Sequence, residues 1–112
     1  MTRSDFADMV RSIGIPSAYQ AFSEATAKEP PFICYFETGD HDPKADNTNY
    51  VCVRVMAIEL YTDEKDFGLE SQIEEALRDA GMVYSVEPDY LDDQKMYVTV
   101  YTMEVIFDGE QD

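Results

Sequence analysis

Three aspartates, Asp40, Asp42 and Asp46, occupy the first, third and seventh positions of what could be a calcium loop. The remaining positions do not support that chemistry. Such a loop needs glycine at its sixth place and a bidentate glutamate at its twelfth, where this chain has Ala45 and Val51. A solvated acidic loop is expected, with no metal site. His41, the sole histidine, sits between Asp40 and Asp42, and a general base could be sketched from the three. Neighbours along a loop do not orient one another for proton transfer, so an exposed polar histidine is expected instead. No serine stands in a nucleophile-elbow setting, and no glycine-rich phosphate loop is present. Catalytic, cofactor-binding and metal-binding residues are all expected to be none, and the chain is expected not to be an enzyme.

Cys34 and Cys52 lie in predicted strands without CxxC spacing or a nearby histidine, which argues against zinc and thioredoxin-like chemistry. Buried, inert thiols are expected, although two neighbouring strands could bring them close. Glu59 and Glu104 also fall within predicted strands, where an unpartnered buried carboxylate would be costly. Arg54 could neutralise one of them, within the chain or from a neighbouring copy. On the predicted second helix, Glu70, Glu74, Glu75 and Asp79 lie opposite the apolar stripe, as on a solvated face. Glu74 and Arg78 are spaced for an i, i+4 pair worth ~0.3 kcal/mol. Lys65-Asp66 marks the corner between strand and helix, either a cap with a loop lysine or a docking corner for a neighbouring subunit.

The elements that must position these groups centre on Tyr50–Gly81. Val51, Val53, Val55 and Ala57 alternate with Cys52, Met56, Ile58 and Leu60, which is the pattern of a strand covered on both sides. Leu69, Ile73, Ala76, Leu77 and Ala80 then follow helical spacing, with Asp66 placed as the cap and Gly81 as the stop. Before this unit, Phe6, Met9, Val10 and Ile13 predict a helix over Ser4–Ile13, closed by Gly14 and Pro16. Ser17–Phe22 leans towards a short extended segment, and Phe32–Glu37 is a strand. The polar loop that follows exceeds ordinary hairpin length, so it is expected to project. After the second helix come a strand over Met82–Val86, an acidic turn over Asp89–Gln94 and a long strand over Lys95–Phe107.

With 112 residues and 45% hydrophobic content, the chain makes one domain, 1–112, rather than two. No apolar run approaches the ~20 residues of a membrane helix. The N-terminus lacks a signal-peptide segment, so a cytoplasmic location is expected. Twenty-four acidic against eight basic residues give a formal charge of −16, a field that repels phosphate and disfavours specific nucleic-acid binding. The expected fold is α+β: a small, mainly antiparallel four-stranded sheet with two helices packed on one face. Such a chain has no element left for the sheet's second face, whose Val, Ile, Met and Tyr residues would exceed a soluble monomer's normal exposed patch. A homo-oligomer, or a partner packed there, is the expected remedy.

Several segments, GIPSAYQAF, PPFICYFETG, ADNTNY, IELYTDEKDFGLE and KMYVTVY, together resemble a family of small tailed-phage and prophage proteins of Gram-positive hosts. The resemblance spans roughly Ile13–Tyr101, and its layout is similar to tail-terminator, or tail-completion, proteins. It implies a ring, often hexameric, that caps the tail tube and joins it to the head connector, with no catalytic residues or cofactors. It also implies a place in the host bacterial cytoplasm during assembly and at the virion head–tail junction afterwards. DNA would pass through such a ring, and carboxylates lining its lumen would keep the DNA from sticking. Alternatives are another phage neck or tail-assembly factor, or an acidic DNA-mimic inhibitor protein.

Overall fold

Period-two apolar patterning produces the long strands, and a 3.6-residue period produces the helices. The computed structural model describes residues 1–20, 29–40 and 52–107. Within them run α1 (Arg3–Arg11), β1 (Ser17–Tyr19), β2 (Phe32–Asp40), β3 (Cys52–Thr62), α2 (Phe67–Asp79), β4 (Tyr84–Leu91) and β5 (Met96–Phe107). The strands form one sheet in the order β1-β2-β3-β5-β4, and the fold is α+β. The expected four antiparallel strands are present, but a fifth, β1, adds to the edge of β2 in parallel, pairing Ser17 with Ile33 and Tyr19 with Tyr35. The sheet is therefore mixed. The rest of the 17–22 expectation, Ala21 and Phe22, lies outside the described residues.

Each helix is set by a local side-chain contact. Thr2 and Asp5 form a reciprocal capping box, each side chain accepting from the other's backbone N–H at 3.0 Å, which starts α1 one residue earlier than its apolar spacing suggests. Asp66 caps α2 as expected, its Oδ1 accepting from the Leu69 N–H at 3.0 Å. Gly81 takes φ +78°, the left-handed turn that ends α2, and the Met82 N–H returns to the Leu77 carbonyl. The strand after α2 begins later and runs longer than its apolar pattern implied, reaching Leu91. Pro88 is tolerated because β4 is an edge strand, where a missing N–H can face solvent. The Tyr90 ring lies against Tyr97 of β5 at 4.8 Å, which keeps the strand paired through what reads as a turn.

Residues directly paired across strands share a face. Ile33, Ile58 and Tyr101 line up in this way with their neighbours, and all three are fully buried. Above them, α1 contributes Phe6 and Val10, and α2 contributes Leu69, Ile73 and Leu77, to a single hydrophobic cluster. Phe6 packs on Tyr35 and edge-on to Phe107, so α1 lies over the end of the sheet where β2 and β5 finish. The α2 helix lies over the middle of β5. There the Thr99 hydroxyl donates to Glu70 at 3.1 Å, and the buried Tyr101 hydroxyl meets the Glu70 carbonyl and the Glu74 carboxylate at 3.4 and 3.3 Å. Burial, then the charges of Glu74 and Glu70, push the Tyr101 phenol above its ordinary pKa.

Asp66→Ala should remove about 1 kcal/mol of stability in urea titration, the usual loss for an N-cap. The raised Tyr101 pKa has a definite sign. Below the unfolded value of 10.0 both states hold the proton, and its contribution is intact. Above it the unfolded chain ionises first, so stability should fall as pH rises, and Tyr101→Phe should flatten that decline in thermal melts.

Candidate interaction surface

Both helices pack on the face described above, and no described helix or strand packs on the other. Register places Phe32, Cys34 and Phe36 of β2 on this second face. From β3 it receives Val53, Val55, Ala57, Glu59 and Tyr61, and from β5 Met96, Val98, Val100, Thr102, Glu104 and Ile106. None of these residues belongs to the main hydrophobic cluster.

The face is less open than its composition suggests. Cys34, Ala57 and Val98 are buried although no described element covers them, because small side chains sink between larger neighbours in a flat layer. Phe32 and Tyr61 stack with ring centroids 4.7 Å apart and planes 14° apart, each shielding the other. Most of the remaining apolar residues are half-buried. The exposed remainder concentrates at one end, where Ile106 is 55% exposed. There β4 begins only opposite Met103, so the last four residues of β5 have β3 on one side and no β4 residue on the other. A cleft of about 760 Å3 fills that notch, lined by Val55, Met82, Val83, Tyr84, Val105 and Ile106 among others. Val83 stands 88% exposed at its rim.

The ionisable groups are partnered differently from their expected pairings. Within the chain, Arg54 stands on the opposite face of the sheet from Glu59 and Glu104. Its register places it on the helix-covered face, where its Nε meets Glu37 at 3.1 Å. Arg3 of α1 meets the other oxygen of Glu37 at 2.9 Å and lies over the Phe107 ring. Glu37 thus joins helix to sheet through two guanidinium groups. Alternation could have revealed it, since Ile33, Tyr35 and Glu37 share the face that α1 covers. Glu59 accepts from the Tyr61 hydroxyl at 2.7 Å. Burial, then this bond to Glu59, push the Tyr61 phenol above its ordinary pKa.

On α2, Glu70 and Glu74 are not a solvated pair. Glu70 is clamped between Lys65, at 2.8 Å, and Thr99. Glu74 faces Tyr101, and Arg78 donates to the Tyr84 hydroxyl at 3.2 Å instead of pairing with Glu74. Lys65 therefore has an internal role, bridging to Glu70 with its ammonium 5.6 Å from the Phe67 ring. Glu75 and Asp79 are exposed, as expected. Cys34 is buried opposite Glu59, seven residues along β3 from Cys52, a separation of ~23 Å at ~3.3 Å per residue that a disulfide cannot span. Asp40 ends β2, while His41, Asp42, Ala45, Asp46 and Val51 of the acidic loop lie outside the described residues.

Comparison of the chain with protein-family models and with curated proteins finds no match. What the surface can do therefore rests on its own composition: an apolar sheet face with carboxylates at intervals and a cleft at one end. Among the described residues, no helix is long and apolar enough to cross a membrane.

Glu37→Gln strips the counter-charge from two partly buried guanidinium groups at once. It should destabilise the fold by about 1–3 kcal/mol, the range for a hydrogen bond to charged partners. Arg11→Gln, which breaks only the exposed pair with Asp8, should change stability by less than about 1 kcal/mol. Paired urea titrations distinguish the two, and equal effects would show that the Glu37 junction is dispensable.

Proposed function

We propose that this chain is a structural, non-enzymatic assembly protein of a phage or prophage tail, acting at the head–tail junction as a ring that caps the tail tube. The observation that carries the reading is the one-sided covering of the sheet. A chain that places both helices over one face and leaves a second apolar face without a described element is built to meet other protein surfaces. A terminating ring requires two contacts on each copy, one for its neighbour and one for the tube or connector. The helix-free face and the cleft at its edge are two apolar surfaces suited to those roles. The resemblance of PPFICY and ELYTDEKD to segments of small tailed-phage and prophage proteins supports a phage origin, and the order of elements and the size support the terminator role.

The rival reading, an acidic mimic of DNA, needs carboxylates in one regular row. The exposed acids of the described residues are instead dispersed, among them Asp5 and Asp8 on α1, Asp63 and Glu64 before α2, Glu75 and Asp79 on its outer side, Glu87, Asp89, Asp92 and Asp93 along β4 and its turn, and Glu104 on β5. That dispersal favours assembly over mimicry. A ring of chains each carrying −16 also suits a passage that DNA must traverse without adhering.

Two measurements test the proposal. A lysogen lacking this reading frame should, on induction, give heads and tubes that electron microscopy shows unjoined, and normal virions would overturn the assignment. The purified protein should leave duplex DNA unretarded in gels at low salt, where a basic DNA-contacting surface would bind most tightly. Retardation under those conditions would remove the non-adhesive passage from the proposal.

A further inference from the structure

The helix-free face carries its own information about what can cover it. Glu59 stands near its centre, with Cys34 on one side across the ladder and Val100 on the other. It is half-buried and accepts from the Tyr61 hydroxyl, and among the described residues no cation is paired with it. In the same row, one strand beyond Val100, lies Glu87, and Asp89 occupies the next row on the same face. At ~4.8 Å between strands, Glu87 is ~10 Å from Glu59. No Lys or Arg of the described strands belongs to this face. The cations of the described residues are largely engaged elsewhere: Arg3 and Arg54 with Glu37, Arg11 with Asp8, and Lys65 with Glu70.

We propose that the face is covered by a different protein whose apolar surface presents an arginine or lysine to Glu59, and not by the same face of a second copy. This rests on the reading that the face is a docking surface, and it names the occupant. Stacked sheets lie ~10 Å apart, so two copies packed through this face would enclose Glu59, Glu87 and Asp89 from each side with no cation of the described strands between them. Enclosing unpaired carboxylates outweighs the gain from apolar contact. A partner's guanidinium reverses the balance: it pairs with the Glu59 carboxylate and can lie against the Phe32–Tyr61 stack beside it. The formal charge of −16 adds long-range attraction to a basic partner and repulsion between copies.

The test uses the full chain and a cationic-face variant, Glu59→Lys/Glu87→Lys/Asp89→Lys, with its fold checked by circular dichroism. Sedimentation velocity should show no association of the wild type through this face and a one-to-one complex when wild type and variant are mixed. That complex should be at least about tenfold tighter than either self-association, weaken with added salt, and disappear when Val100→Asp is placed in the wild-type partner. Should the triple variant misfold, Glu59→Gln/Glu87→Gln/Asp89→Gln serves instead: removing the three charges should make the chain self-associate, again reversibly by Val100→Asp. Wild type that self-associates in a manner abolished by Val100→Asp overturns the heterologous occupant while upholding the face as a docking surface. No association in the mixture and none by the neutral triple variant overturns the docking reading itself.

Discussion

A sheet has two sides, and the described residues supply helix for only one. The two helices, nine and thirteen residues long, supply five buried apolar side chains between them. Those five meet the row of Ile33, Met56, Ile58, Leu60, Tyr101, Met103 and Val105 and close it completely. Burial of that layer is the large favourable term in the fold, and period-two alternation transmits its consequence to the rest. Each residue turned into the layer turns its neighbours out. Once Ile58 and Tyr101 point at the helices, Glu59 and Val100 must point away, and a one-residue slip in register would reverse every position at once.

Polar groups are used to hold the helices on the sheet rather than to decorate the surface. At the end of the sheet near α1, Glu37 holds Arg3 of the helix and Arg54 of β3 on one carboxylate. Along α2, Glu70 gathers Lys65 and Thr99, while Tyr101 reaches up to the helix backbone and Glu74. Both sites sit where the apolar layer runs out and water would otherwise enter. Charged hydrogen bonds in partly shielded positions are stronger than exposed pairs, and here they fix where each helix lies. The raised pKa values of Tyr61 and Tyr101 report the same shielding on the two opposite faces.

Much of this was legible in the sequence because it is local. Helical spacing at Phe6–Val10 and Leu69–Leu77, the Asp66 cap and the Gly81 stop each depend on residues within a turn or two, and all stand where the pattern puts them. What was missed depends on partners distant in sequence. Extended structure at Ser17–Tyr19 follows the local pattern, but its joining the sheet as a parallel fifth strand depends on the edge that β2 offers, with the Gln20 N–H closing on the Tyr35 carbonyl. Pro88 is compatible with either an edge strand or a strand end, and only the outermost place of β4 in the sheet decides between them. The Glu74–Arg78 spacing is correct for a helix pair, yet each side chain finds a tyrosine from the sheet instead. Glu37 shows the opposite case, since its face could be read by alternation while its two partners, thirty-four residues back and seventeen ahead, could not.

The helix-free face brings the apolar pattern and the acidic composition into one place. Taken separately, exposed apolar surface promotes association of any kind, and net charge opposes association between copies. Taken together they discriminate. Apolar contact acts only within a few ångströms and does not distinguish partners, whereas the carboxylates act over a Debye length of ~8 Å and do. In the proposed docking, two copies meeting through this face would bring like-charged carboxylates together, while a basic surface would be attracted and would pair with Glu59. Small buried residues such as Ala57 and Cys34 lower the apolar area that this face exposes. A face that was only apolar would not discriminate among partners, and one that was only acidic would gain little from contact; interleaving Glu59 among Cys34, Ala57, Tyr61 and Val100 supplies both terms on one surface, the combination on which the proposed selectivity rests.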